Sequence, residues 1–244
     1  MKIIKAFFMC LGMFSAIPCP YRPWDEDARG LMTACLPLVG AIIGALWYAL
    51  AKLGQFLLPA ALSAALTAAL PFLLTGFMHL DGFMDSADAL LSWRPLELRQ
   101  KILKDVHCGS FAVVAVVLLS MGMFAAASDA AGSDLRCLIL IPAVSRCLSA
   151  FCVTFLKPIG HSEYAAMSRN LGTPAAAMVM LLLTVLTGWL WLGSSAVLCL
   201  IAVLICYAAA ITWAVHTMKG VSGDLAGYAL CIGELCGLAA LAIF

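Results

Sequence analysis

Three carboxylates fall within eight residues of this chain, in the stretch His79-Leu80-Asp81-Gly82-Phe83-Met84-Asp85-Ser86-Ala87-Asp88. The 244-residue sequence holds only 13 acidic residues and is 64% hydrophobic, so such a concentration at the end of an apolar stretch points to chemistry. On a helix, positions i, i+4 and i+7 lie within about 60° of one another, and Asp81, Asp85 and Asp88 then share one face. At roughly 6 Å and an effective dielectric of about 20, each pair repels by about 3 kcal/mol. Full solvation would relieve most of that. An enclosed face needs a cation, and hard oxygen donors select magnesium, calcium or manganese. His79 sits about half a turn from this face. Its reading stays open between a satisfied polar side chain and a residue that orients or binds a substrate.

The elements that position these residues follow from composition. A mean hydropathy of +1.06, with 11% charged residues, describes an integral membrane protein. Apolar stretches long enough to cross a bilayer fall at about 31–53, 56–78, 110–128, 135–155, 174–193, 194–217 and 224–244. The expected architecture is an all-α, polytopic membrane helix bundle of about seven transmembrane helices, forming one membrane domain over residues 1–244. Segment 2–17 carries Lys2 and Lys5 and ends before Pro18 and Pro20. No small-x-small cleavage site follows it, so it reads as an N-terminal interfacial helix rather than a signal peptide.

Charge sets the expected orientation. With the region before the first span in the cytoplasm, Lys2, Lys5, Arg22, Arg29, Arg94, Arg99, Lys101, Lys104, Lys157, Arg169 and Lys219 all fall on the cytoplasmic side. Only Lys52 and Arg136 fall outside, and Arg146 lies within a span. The positive-inside rule then places segment 79–109 as a loop on the cytoplasmic side, with the acid cluster and Asp224 on the same face. The eleven cysteines include no CxxC pair and read as apolar packing. A net charge of +1 gives no reason to expect nucleic acid as a partner. The lipid bilayer is the expected partner, and homo-oligomerisation is left open.

Further polar residues surround this segment. Ser92-Trp93-Arg94-Pro95 opens a helix with proline near its first position. The following Glu97 to Asp105 run is amphipathic, either a solvated helix at the headgroups or a source of phosphate-neutralising cations in Arg94, Lys101 and Lys104. Asp105, ahead of Gly109-Ser110, offers a fourth carboxylate. Arg146 near the middle of a span costs at least about 2.5–3.5 kcal/mol unless partnered, so it belongs in the bundle interior, in an ion pair or at a site. Asp224 follows Lys219-Gly220-Val221-Ser222-Gly223 and serves either as an N-terminal capping carboxylate or as a second acidic arm. Glu234 lies near the same helix stripe and is buried by position.

His79-Leu80-Asp81-Gly82-x-x-Asp85-x-x-Asp88 resembles the signature of the cobalamin synthase family, membrane-bound adenosylcobinamide-GDP ribazoletransferases. The similarity continues in order through Ile17-Pro18-Cys19-Pro20, Pro37-Leu38-Val39-Gly40 with Gly44, Lys104-Asp105 with Gly109, Val144-Ser145-Arg146, Gly220-x-x-Gly223-Asp224 and Gly233-Glu234-Leu235. The resemblance implies a magnesium-dependent enzyme that joins α-ribazole or its 5′-phosphate to adenosylcobinamide-GDP and releases GMP. It implies that Asp81, Asp85 and Asp88 hold the metal, and that Asp105, Asp224 and Arg146 carry the chemistry. His79, Arg94, Lys104, Lys219 and Glu234 would bind substrate. The chain departs from the family at Ser15-Ala16, where a Thr-Arg pair is usual, and at Val106 and Ala112. The 157–169 loop lacks the expected glycine-rich ending. Two other classes share features: CDP-alcohol phosphotransferases, whose longer aspartate pattern is half missing here, and cation-coupled transporters, whose acids lie near midplane in both halves.

Overall fold

In lipid, a long apolar run satisfies its peptide groups only as a helix or a closed barrel. The computed structural model describes residues 2–159 and 172–244, and these form helices joined by short turns. They are α1 (Lys2–Phe14), α2 (Glu26–Met32), α3 (Leu36–Leu57), α4 (Ala60–Leu74), α5 (Met78–Leu91), α6 (Leu96–Ile102), α7 (Ser110–Asp129), α8 (Ile141–Phe155), α9 (Gly172–Leu192), α10 (Ser194–Met218) and α11 (Gly223–Ile243). Among the described residues six stretches are long and apolar enough to cross a membrane: Glu26–Leu57, Ser110–Gly132, Leu135–Phe155, Gly172–Leu192, Ser194–Met218 and Gly223–Ile243. This is the expected polytopic bundle. The N-terminal segment is helical to Phe14, and Lys2 and Lys5 tie it to the start of α2 through Asp27 at 3.1 Å and Asp25 at 2.9 Å.

The stretch at 56–78 differs from its expectation. Its helix stops at Leu74, and α5 leaves at 89° to α4. The stop is local chemistry: the Gly76 N–H donates to the Leu73 carbonyl at 3.1 Å and the Phe77 N–H to the Phe72 carbonyl at 2.9 Å. That is a Schellman ending, which requires a left-handed residue, and Gly76 supplies it with φ of 61°. Phe77, also left-handed at 63°, turns the chain into α5.

Directions follow from contacts. Gly54 of α3 packs against Ser63 and Leu66 of α4, and the Leu74 carbonyl accepts from Ala16 N–H at 2.9 Å. α4 therefore runs back toward the end where α3 began and makes a seventh, shorter crossing. Val221 exchanges backbone hydrogen bonds with Lys157 (2.8 Å) and Ile159 (2.9 Å), joining the exit of α8 to the α10–α11 turn. The starts of α3, α7 and α11 and the ends of α4, α8 and α10 thus gather at one end. Lys52, Asp134 and Arg136 mark the other. Segment 79–91, expected as part of a loop, is instead a helix packed into that first end. Phe83 stacks on Tyr228 with ring centroids 5.3 Å apart, and Ala89 and Leu90 join Leu225, Ala229 and Leu230 in a buried cluster.

Candidate active site

α5 carries the carboxylates as the spacing predicts, Asp81 exposed, Asp85 half-buried and Asp88 only 8% exposed. Its opposite face holds Gly82, Phe83, Ser86 and Leu90, all buried, and fixes the helix in place. A Cβ on Gly82 would lie 2.9 Å from the Asp224 Cα, so only glycine lets α5 cross α11 this closely. The crossing brings Asp224 to the acid face. Asp224 is not the cap of α11. That role belongs to Ser222, whose Oγ accepts from the Leu225 N–H at 3.2 Å and donates to Asp224 Oδ2 at 3.4 Å.

Asp88 has its own partners. Its Oδ2 accepts from the Gly109 N–H at 2.5 Å and its Oδ1 from the Ala112 N–H at 2.9 Å. The carboxylate thereby caps the N-terminus of α7 from another helix, where the helix dipole favours negative charge. Asp81 and Asp85 accept no hydrogen bond from any described residue. Burial, then the charges of Asp81, Asp224 and Asp88, push the Asp85 carboxyl from 3.8 up to about 6.

That shift has a sign. A carboxyl raised in the folded state binds its proton more tightly there than in the unfolded chain, so its contribution to stability is present below pH 3.8 and is lost as pH rises through about 6. Protein stripped of divalent cations should lose stability between about pH 4 and 6, and added magnesium should restore it above that range. Thermal unfolding in detergent across pH, with and without the ion, measures both.

The donors suit magnesium in kind: hard carboxylate oxygens, and Asp81 and Asp85 form no ion pair among the described residues. As the side chains stand, no three His, Cys, Asp or Glu groups among the described residues surround a common point. Asp81 and Asp85, without hydrogen-bond partners among the described residues, are the groups available to an ion, with Asp224 beside them.

Behind the acid face lies a cavity of about 150 Å³. Phe14, Leu36, Met78 and Val153 give it apolar walls, and Thr33, His79, Ser149 and Asp224 are its polar side chains. Burial, and secondarily the charge of Arg146, push His79 down to about 3, so its imidazole is neutral. Its Nδ1 has no hydrogen-bond partner among the described residues. Ser149 accepts a hydrogen bond from the Tyr207 hydroxyl at 3.1 Å.

Arg146 is wholly buried and its Nη1 meets Glu234 Oε1 at 2.5 Å, with Ser145 Oγ donating to the same oxygen at 3.0 Å. The partner its position demanded is Glu234, and neither residue reaches solvent. Its stem passes over Gly40 of α3, where a Cβ would lie 2.6 Å from the Arg146 Cδ.

On the far side of Asp88 a second, open groove of about 530 Å³ contains Arg94, Asp105, His107 and Gly109. The Asp105 carboxylate takes both the ring Nδ1 of His107 (2.7 Å) and its backbone N–H (3.0 Å), and these bonds hold its pKa below the usual carboxylate range. The structure brings Asp105 and Arg94 together but separates them, through Asp88, from the cavity of His79 and Asp224. Lys104 and Lys219 are exposed, Lys219 at the left-handed end of α10. The expected loop residues from Gly160 onward, including Arg169, lie outside the described residues. Sequence reading missed His107, although Asp-x-His is a local signal for such a turn. It also missed Ser149 and the apolar cavity walls, for which no local signal exists.

The family model for cobalamin-5-phosphate synthase matches residues 6–242. The chain belongs to that family. It is 37% identical to the adenosylcobinamide-GDP ribazoletransferase of Clostridium perfringens strain 13, over 253 positions covering the whole of both chains. It is 35% identical to the enzyme of that name from Clostridium botulinum strain Alaska E43, covering 100% of this chain and 99% of the relative. With the Pseudomonas putida KT2440 enzyme of that name it shares 33%, over 97% and 98%. No solved structure matches. Membership of the cobalamin-5-phosphate synthase family bears out the resemblance read from the aspartate signature and disfavours the CDP-alcohol phosphotransferase and transporter readings.

Proposed function

We propose that this chain is an adenosylcobinamide-GDP ribazoletransferase. A ribose hydroxyl of α-ribazole or its 5′-phosphate attacks the phosphorus that carries cobinamide, the bond to the GMP oxygen breaks, and GMP leaves. The observation that carries this reading is the full-length likeness to relatives of that name, together with the convergence of Asp81, Asp85 and Asp224 at the α5–α11 crossing.

Phosphoryl transfer asks a protein mainly for positioning and for neutralisation of charge. Asp81 and Asp85 would hold magnesium, which when bound offsets the charge of the diphosphate. Asp224, between the acid face and the cavity, orients the attacking hydroxyl and accepts its proton. Arg94, in the open groove beyond Asp88, takes phosphate charge as the GDP end extends that way. Arg146 and Glu234 hold α8 to α11 rather than touch substrate. The acid face, at the end of the bundle where Lys157 and Lys219 also lie, faces the cytoplasm of the cell that holds this chain in its inner membrane.

The test is GMP release in proteoliposomes from adenosylcobinamide-GDP and α-ribazole 5′-phosphate, with and without magnesium. GMP should appear only with both substrates and the ion. A folded, magnesium-supplied protein that releases none would overturn the assignment.

A further inference from the structure

We propose that the cavity beside His79 seats the aromatic base of the ribazole substrate, and so sets which lower-ligand bases the enzyme accepts. This rests on the proposed function and adds a binding site to it. A cavity of about 150 Å³ has the size that admits one benzene-sized ring. Its walls are Phe14, Leu36, Met78 and Val153, and its few polar side chains lie beside Asp224. That is the environment of an apolar base with one polar edge.

The two substrates offer few candidates. Guanine carries donors and acceptors on most of its edges, and burying it among these walls would leave several of them unpaired. The corrin ring is far too large. Benzimidazole presents an apolar six-membered ring, and its imidazole ring has a single unsubstituted nitrogen once the other bears ribose. His79, whose buried Nδ1 has no hydrogen-bond partner among the described residues, supplies the one polar contact such a base needs. Asp224, in the same wall, then stands next to the attached ribose, where the reaction requires it. Leu36 and Val153, on α3 and α8, bound the space for substituents on the six-membered ring.

The experiment compares ribazole 5′-phosphates bearing 5,6-dimethylbenzimidazole, unsubstituted benzimidazole and naphthimidazole. The readout is the ratio of their kcat/KM values within one sample, which cancels any unfolded fraction. Wild-type protein should favour the dimethyl base over benzimidazole by about tenfold, the worth of two buried methyl groups. Val153→Phe should erase that preference by raising the KM for the dimethyl nucleotide, leaving the KM for adenosylcobinamide-GDP within about twofold. Leu36→Ala should improve the naphthimidazole ratio by about the same factor, a gain that damage to the fold cannot imitate. His79→Leu should raise the KM for ribazole phosphate, with His79→Asn recovering part of it. Ratios unchanged in both Val153→Phe and Leu36→Ala, or a shift confined to the cobinamide substrate, would overturn the assignment while leaving the enzyme's activity established. Absence of GMP release from wild-type protein with every base would instead remove the proposed function, and this inference with it.

Discussion

Asp85→Asn should reduce GMP release by on the order of 10²–10³-fold and leave a folded membrane protein. The substitution keeps the shape of the side chain and removes its charge. Asp85 accepts no hydrogen bond from a described residue, and its neighbours Asp81, Asp224 and Asp88 only repel it. The folded chain therefore loses nothing in stability and gains relief from repulsion. The transfer loses a carboxylate that faces the ion, which is felt only when diphosphate and metal are present. Turnover in proteoliposomes, beside thermal unfolding in detergent, separates the two effects. An Asp85→Asn protein with wild-type turnover would remove the metal-binding role from this face.

Glu234→Ala should have the opposite profile and destabilise the protein by about 3–5 kcal/mol, because a buried charge loses its counter-ion. Arg146 has no exposed surface, and its Nε and Nη2 already lack partners among the described residues. The Nη1 bond to Glu234 is therefore the main compensation for a full charge inside a span. Replacing both residues, as Arg146→Met with Glu234→Leu, should recover most of that stability, since neither charge then needs a partner. Thermal unfolding of the three proteins measures the difference. A loss below about 1 kcal/mol in Glu234→Ala would show that water or another group already satisfies the guanidinium. Wild-type turnover by a stable double variant would confirm that the pair only holds α8 to α11.

The acid face was legible because helical spacing is local: Asp81, Asp85 and Asp88 at i, i+4 and i+7 must share one side of α5, although Asp88 turns from it to cap α7. The need of Arg146 for a partner was legible too, since a mid-span charge cannot stand alone, and Glu234 was placed in the bundle. Joining them was not, because 88 residues separate the pair and only packing decides which helices touch. The 89° corner was hidden for another reason. Hydropathy runs on unbroken through Phe77 and Met78, and the stop signal is one glycine, Gly76, whose left-handed conformation overrides the apolar pattern. Asp88 shows the same limit, since its partners lie 21 and 24 residues away and exist only once α7 has docked. A cavity assembled from α1, α3, α5, α8 and α11 leaves no trace in any one of them.

The corner has one more effect. α4 has 15 residues and rises about 22 Å, against a hydrocarbon core of about 30 Å. Its neighbours α3 and α7 have 22 and 20. A bilayer meets such a hydrophobic mismatch by thinning beside the short helix or by drawing polar flanks inward. The carboxylates begin where α4 ends, so they sit recessed from the rim of the longer helices. Membrane thickness thereby becomes a coordinate of the reaction, setting how far water and a charged diphosphate must descend to reach Asp81 and Asp85.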